Sequence, residues 1–114
     1  MIKLNILIVR KEGLTHDEFA EHWRTKHLDT VKAPPSARKY MRRYLQSHPT
    51  GDTLPVTPSS KFDGIAEVWF DSVDDVKAFF ASSDYIESIS PDEEGFIDGE
   101  KTELLITNEI AVFE

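Results

Sequence analysis

In the stretch Thr15 to Lys32, THDEFAEHWRTKHLDTVK, His27 is the residue whose type and position suit chemistry, because its ring exchanges a proton near neutral pH. At about 100° per residue, Phe19, Ala20, Trp23 and Val31 fall on one arc of a helix, opposite Asp17, Glu18, Glu21, Arg24, Thr25, Asp29 and Lys32. His27 projects between Trp23 and Val31, in the middle of the apolar arc. A titratable ring there faces the core or a cavity beside it, and burial without a partner costs about 1–3 kcal/mol. It is either a structural histidine satisfied by a hydrogen bond or the working group of an apolar pocket.

The helix that must position it begins with Thr15 followed three residues later by Glu18, the spacing of a capping box. It is predicted to end before Pro34 and Pro35, since a residue preceding proline is driven out of the helical region. Ile2 to Arg10 reads as a strand with Ile2, Leu4, Ile6 and Ile8 on one face and Lys3, Asn5, Leu7 and Val9 on the other. Both faces carry apolar side chains, so both are expected to be covered. Arg38 to Ser47 reads as a second strand, with Tyr40, Arg42 and Tyr44 on one face and Met41, Arg43 and Leu45 on the other. The proline-rich segment His48 to Ser60 is a long loop, and Lys61 to Phe70 a third strand whose Gly64 and Ala66 leave room for close approach.

Ser72 caps a second helix with the apolar stripe Val73, Val76, Phe79 and Phe80. A short helix from Ser83, carrying Tyr85, Ile86 and Ile89, is expected to stop at Pro91 and give way to the acidic loop DEEGFIDGEKTE. Leu104 to Phe113 is the last strand. The order β-α-β-β-α-β implies an α+β, ferredoxin-like fold: a four-stranded antiparallel sheet with both helices on one face. The uncovered face would be a greasy patch, so a homodimer, sheet against sheet, is expected.

The 114 residues fit a single domain spanning 1–114, able to bury about two-thirds of its unfolded surface. With 39% hydrophobic and 30% charged residues the chain groups with soluble globular proteins, and no apolar run approaches a membrane span. The amino-terminal residues do not read as a signal peptide. The absence of cysteine excludes disulfides and thiolate zinc sites and fits a cytoplasmic chain. A formal charge of −8 repels a phosphate backbone, and the basic cluster Arg38, Lys39, Arg42 and Arg43 lacks the stacking aromatics or zinc motif of a nucleic-acid binder.

The runs EFAEHWRTKH, KFDGIAEVWFDS, ASSDYIES and NEIAVF resemble the EthD-domain branch of the dimeric α+β barrel superfamily. The resemblance spans most of the chain outside the proline-rich loop. It implies a dimeric ferredoxin-like fold and relatives that work without metal or organic cofactor: methylmuconolactone methylisomerase, polyketide cyclases, and fungal decarboxylases or dehydratases. It also implies a pocket bordered by His27, with Tyr40 of the second strand close to it. The methylisomerase's loop histidine has no counterpart at Asp52-Thr53-Leu54, and Ser90 stands where haem-degrading members place an axial histidine.

On this basis His27 is the expected general acid or base, kept neutral by burial, and Tyr40 the donor to a developing oxyanion, with Asn5 a weaker one. Phe19, Trp23 and Trp69 are read as pocket walls or core, and His22 as a partly exposed neighbour able to assist. Glu67 is either an ion-paired surface carboxylate, facing Arg42 or Arg43, or a pocket acid that orients His27. The expected function is a cofactor-independent lyase or isomerase acting on a small aromatic, polyketide-like or lactone carbonyl compound. The rivals are a cofactor-free oxygenase of a phenol and a noncatalytic small-molecule binding or accessory protein.

Overall fold

The computed structural model describes residues 1–56 and 58–114; within the expected 48–60 loop, Thr57 lies outside the described residues. The strands β1 (Ile2–Ile8), β2 (Met41–Ser47), β3 (Gly64–Phe70) and β4 (Glu103–Thr107) form one sheet in the order β2-β3-β1-β4. Its pairs are all antiparallel, with Leu4 opposite Val68 and Ile106, and Asn5 opposite Glu67 and Leu105. The helices α1 (His16–Arg24), α2 (Lys26–Lys32), α3 (Pro35–Tyr40), α4 (Val73–Phe80) and α5 (Ser90–Glu94), the last entered through a π-helical turn at Tyr85–Ile89, complete the ferredoxin-like α+β arrangement. They bury the face carrying Leu4, Ile8, Ala66, Val68 and Phe70.

Thr15 caps α1 as the sequence indicates: Thr15 Oγ1 accepts from the Glu18 N–H at 3.1 Å, and Glu18 Oε1 accepts from the Thr15 N–H at 2.9 Å. The predicted single helix through Lys32 is, however, two. Thr25 leaves helical geometry (φ −117°, ψ −87°), and its hydroxyl donates to the Glu21 carbonyl at 2.5 Å, a bond of the kind that bends helices. His27 thus sits in the first turn of α2, not midway along a straight helix.

The prolines end α2 but also begin α3, with Pro35 in its first turn where its fixed φ suits a helix start. Tyr40 therefore closes a helix instead of lying on the second strand, and β2 begins at Met41. A register shift between Met41 and Arg43 then breaks the expected alternation: Met41 pairs with Phe70 and Tyr44 with Val68, so both turn toward the helices, while Arg43 pairs with Trp69 on the open face.

Gly64 opens β3, which starts three residues later than expected, and admits Trp23: a Cβ added there would lie 2.4 Å from Trp23 Cζ3. The helix from Ser83 does not stop at Pro91. A π-turn, closed by the Ser90 N–H on the Tyr85 carbonyl, widens the backbone just before the proline, which would otherwise collide with the preceding turn. Asp92, Glu93 and Glu94, expected in an acidic loop, are consequently helical. β4 ends at Thr107, where its pairing with β1 runs out, leaving Ile110, Val112 and Phe113 exposed.

Candidate functional site

His27 is 4% exposed and reaches α5: its Nδ1–H donates to Asp92 Oδ2 at 2.8 Å. The other carboxylate oxygen, Oδ1, accepts from His22 Nε2–H of α1 at 2.9 Å. One acid thereby fixes two imidazoles and ties three helices together. The Phe96 ring, just beyond α5, lies against both, with centroids 4.6 Å from His22 and 5.0 Å from His27. Because Nδ1 carries the proton, His27 Nε2 is left as the acceptor. Burial lowers the His27 pKa below its ordinary value more than Asp92 raises it, so the ring is neutral at pH 7.

His27 lines a narrow cleft of about 30 Å³ between sheet and helices, with Leu4, Val31, Tyr44 and Val68 among its walls. Ile6, Phe80, Tyr85 and Glu93 line that cleft and also an adjoining pocket of about 330 Å³, which reaches out to Ser90, Gly99, Thr102 and Leu104. Tyr85 Oη donates to Glu93 Oε1 at 2.5 Å. Burial drives the Glu93 pKa upward, against the pull of the Tyr85 hydrogen bond and with help from Asp92. Burial and the Glu93 carboxyl likewise push Tyr85 well above the usual phenol value. Tyr44 is also raised by burial.

The sequence-derived candidates separate into four groups. His27 and His22 meet at Asp92. Tyr40 does not line the cleft; its ring packs against the edge of the core with Lys39 Nζ 5.1 Å from its centroid, and the phenols that line the cleft with His27 are Tyr44 and Tyr85. Phe19 and Trp23 are core residues, 0% and 1% exposed, packed with Ile8, Ala66 and Phe96 behind the imidazoles instead of around the cleft.

Asn5, Glu67 and Trp69 lie on the opposite face of the sheet from His27, because their register neighbours Leu4, Ile6 and Val68 point to the helices. There Glu67 pairs with Lys3 at 2.7 Å, not with Arg42, Arg43 or His27. Asn5 Nδ2 donates to the Leu105 carbonyl and to Thr107 Oγ1, and Trp69 Nε1 donates to Glu109 Oε1.

Asp92, Glu93, Tyr85 and Tyr44 are what sequence reasoning missed. A proline followed by three acids has the composition of a first helical turn, and that signal was available in Pro91 to Glu94. Among the described residues, no group of three or more His, Cys, Asp and Glu is placed to hold a metal ion, and no helix is long and apolar enough to cross a membrane.

A family model described as the EthD domain matches residues 11–100. No curated protein matches the chain. Among solved structures the chain is similar to an EthD family protein of Bacillus halodurans C-125, at 22% identity and TM-score 0.71, covering 96% of this chain and 99% of that one. It is also similar to a dimeric ferredoxin-like protein of Bacteroides fragilis, at 12% identity and TM-score 0.67, covering 95% of each. A dimeric ferredoxin-like protein of Thermobifida fusca aligns at 13% identity and TM-score 0.64, covering 93% of this chain and 88% of that one. At such identities the structural likeness carries the fold.

Proposed function

The chain belongs to the EthD domain family, and from that premise we propose that it is a small-molecule enzyme working by proton transfer, with His27 as the group that moves the proton. The observation that carries this reading is a buried, neutral imidazole whose Nδ1–H is held by Asp92 and whose ring borders an apolar cleft. Asp92 sets the tautomer and orientation, and Nε2 is the base. A positioned acid or base of this kind contributes about 10²–10⁴ in rate. Tyr44, in place of Tyr40, is the phenol suited to support an oxyanion in the same cleft.

The chemistry needs only side chains, which suits a cofactor-independent lyase or isomerase acting on a small aromatic, polyketide-like or lactone carbonyl compound. The working unit is a single EthD-like domain acting as a homodimer through the helix-free sheet face, where Leu45, Ile65 and Leu105 are exposed. The dimeric relatives support that assembly. A chain without cysteine suits the cytoplasm.

The test is to recover whatever small molecule the natively isolated protein carries by mass spectrometry, then follow its conversion with no added metal or cofactor. His27→Gln is expected to lower turnover by about 10²-fold or more while circular dichroism stays unchanged. Consumption of oxygen during turnover would favour the oxygenase, and retention without conversion the binding protein.

A further inference from the structure

His27 does not hold the cleft alone: Glu93 lines the same cavity and continues into the larger pocket, at the junction of the two. The Tyr85–Glu93 hydrogen bond joins the π-turn to α5, and π-turns are the kind of helical irregularity that recurs at functional sites. Tyr85 takes Glu93 Oε1, while Oε2 has no hydrogen-bond partner among the described residues. Among the described residues, neither cavity has a lysine or arginine in its lining, whereas Glu93 and Glu94 both contribute. A carboxylate entering there would lose its hydration with no cation to offset it, beside two acids.

We propose that Glu93, held through Tyr85, is the proton-carrying partner of His27, and that the compound taken is an uncharged, enolisable carbonyl compound that the pair isomerises. This rests on the reading of His27 given above and sets its substrate class. His27 Nε2 takes a proton from a carbon beside the carbonyl, and the Glu93 carboxyl gives its proton to the carbonyl oxygen. The product of that half is an enol, an imidazolium and a carboxylate. Glu93 then takes the enol O–H proton back as the imidazolium delivers its proton to a different carbon of the conjugated system. Both side chains return to their starting states and no atom leaves.

Burial acts on both groups in the direction this step uses, lowering the His27 pKa and raising that of Glu93. The groups acting on Glu93 are Tyr85 from the π-turn, Tyr44 from β2 and Asp92 on its own helix, while Glu94 acts on Tyr85; those acting on His27 are Asp92 and His22.

The experiment follows exchange of the hydrogens beside the carbonyl of 2-tetralone in D₂O by NMR, with the full chain. Wild-type protein is expected to accelerate exchange over buffer, and His27→Gln to abolish the acceleration. Glu93→Gln is expected to lower it by about 10²-fold and to remove the decline of rate on the alkaline side of the pH profile. Tyr85→Phe serves as the second variant, with a smaller loss and an alkaline decline displaced to higher pH, because the Tyr85 hydrogen bond holds the Glu93 pKa down.

In parallel, 2-naphthol is expected to bind at least about tenfold more tightly than 2-naphthoate, which has the same skeleton with a carboxylate. Full exchange in folded Glu93→Gln, or naphthoate binding as tightly as naphthol, would overturn this inference while leaving His27 as the base. Exchange unchanged in His27→Gln, or no acceleration by wild-type protein, would overturn the reading of His27 and this inference with it.

Discussion

The two faces of the sheet hold polar side chains in opposite ways. On the open face Lys3 pairs with Glu67 at 2.7 Å, Asn5 is bonded to Leu105 and Thr107, and Trp69 donates to Glu109 while Arg43 and Lys3 lie over its ring. Its charges are stabilised as charges: the Glu67 hydrogen bond raises the Lys3 pKa, and the Trp69 hydrogen bond lowers that of Glu109. Beneath the helices the shifts run the other way, with His27 lowered and Glu93 raised by burial. Side chains whose bonding capacity is filled by neighbours hold a structure together. Those whose charged form burial disfavours, beside a cavity and with an atom left over, are equipped to exchange protons with something else.

The largest effect expected from breaking this contrast is on stability at the ring that both imidazoles rest on. Phe96→Ala should cost about 3–5 kcal/mol in urea unfolding, since Phe96 is 1% exposed and backs the whole helix-side constellation. Gly64→Ala should follow at about 1–3 kcal/mol, because its methyl group meets the Trp23 ring and the Ser47 carbonyl, neither of which can retreat easily.

The two buried groups titrate with opposite effects on stability. A histidine with a folded pKa below its unfolded value of about 6.5 favours the folded state fully above that value, and the contribution is lost as pH falls toward the folded pKa. Wild-type stability should therefore fall between neutral and mildly acidic pH more steeply than that of His27→Gln. Glu93, raised, has the opposite sign: its contribution is present below the ordinary carboxyl value and lost as pH rises through the folded one, so Glu93→Gln should flatten that decline. The smallest effect belongs to the open face, where Glu67→Gln should change stability by about 0–1 kcal/mol and leave turnover unaltered.

What could be read from the sequence was local. The Thr15–Glu18 cap, the apolar arc that buries His27, the Ser72 cap and the small residues Gly64 and Ala66 each follow from a short pattern that the fold preserves. What could not be read depended on backbone irregularities whose outcome is tertiary. Thr25 breaks the helix, a bulge after Met41 brings Tyr44 to the cleft, and a π-turn carries the chain past Pro91 so that Asp92 and Glu93 face inward. Each displaces a side chain by a residue or a face. Glu67, the carboxylate whose strand position suggests a partner for His27, consequently lies on the wrong side of the sheet, and the acid that orients His27 lies in a run that reads as a solvated acidic loop.

Proton transfer at this site depends on His27 being a neutral, Nδ1-protonated imidazole fixed by Asp92, and an NMR titration of ¹³C,¹⁵N-labelled histidines reads that state directly. In the wild-type protein His27 should show the Nδ1–H tautomer at neutral pH and titrate below about 6.5, and in Asp92→Asn it should titrate lower still, because the carboxylate raises it. A His27 that titrates at or above the ordinary histidine value, or carries its proton on Nε2, would rule out its role as the base.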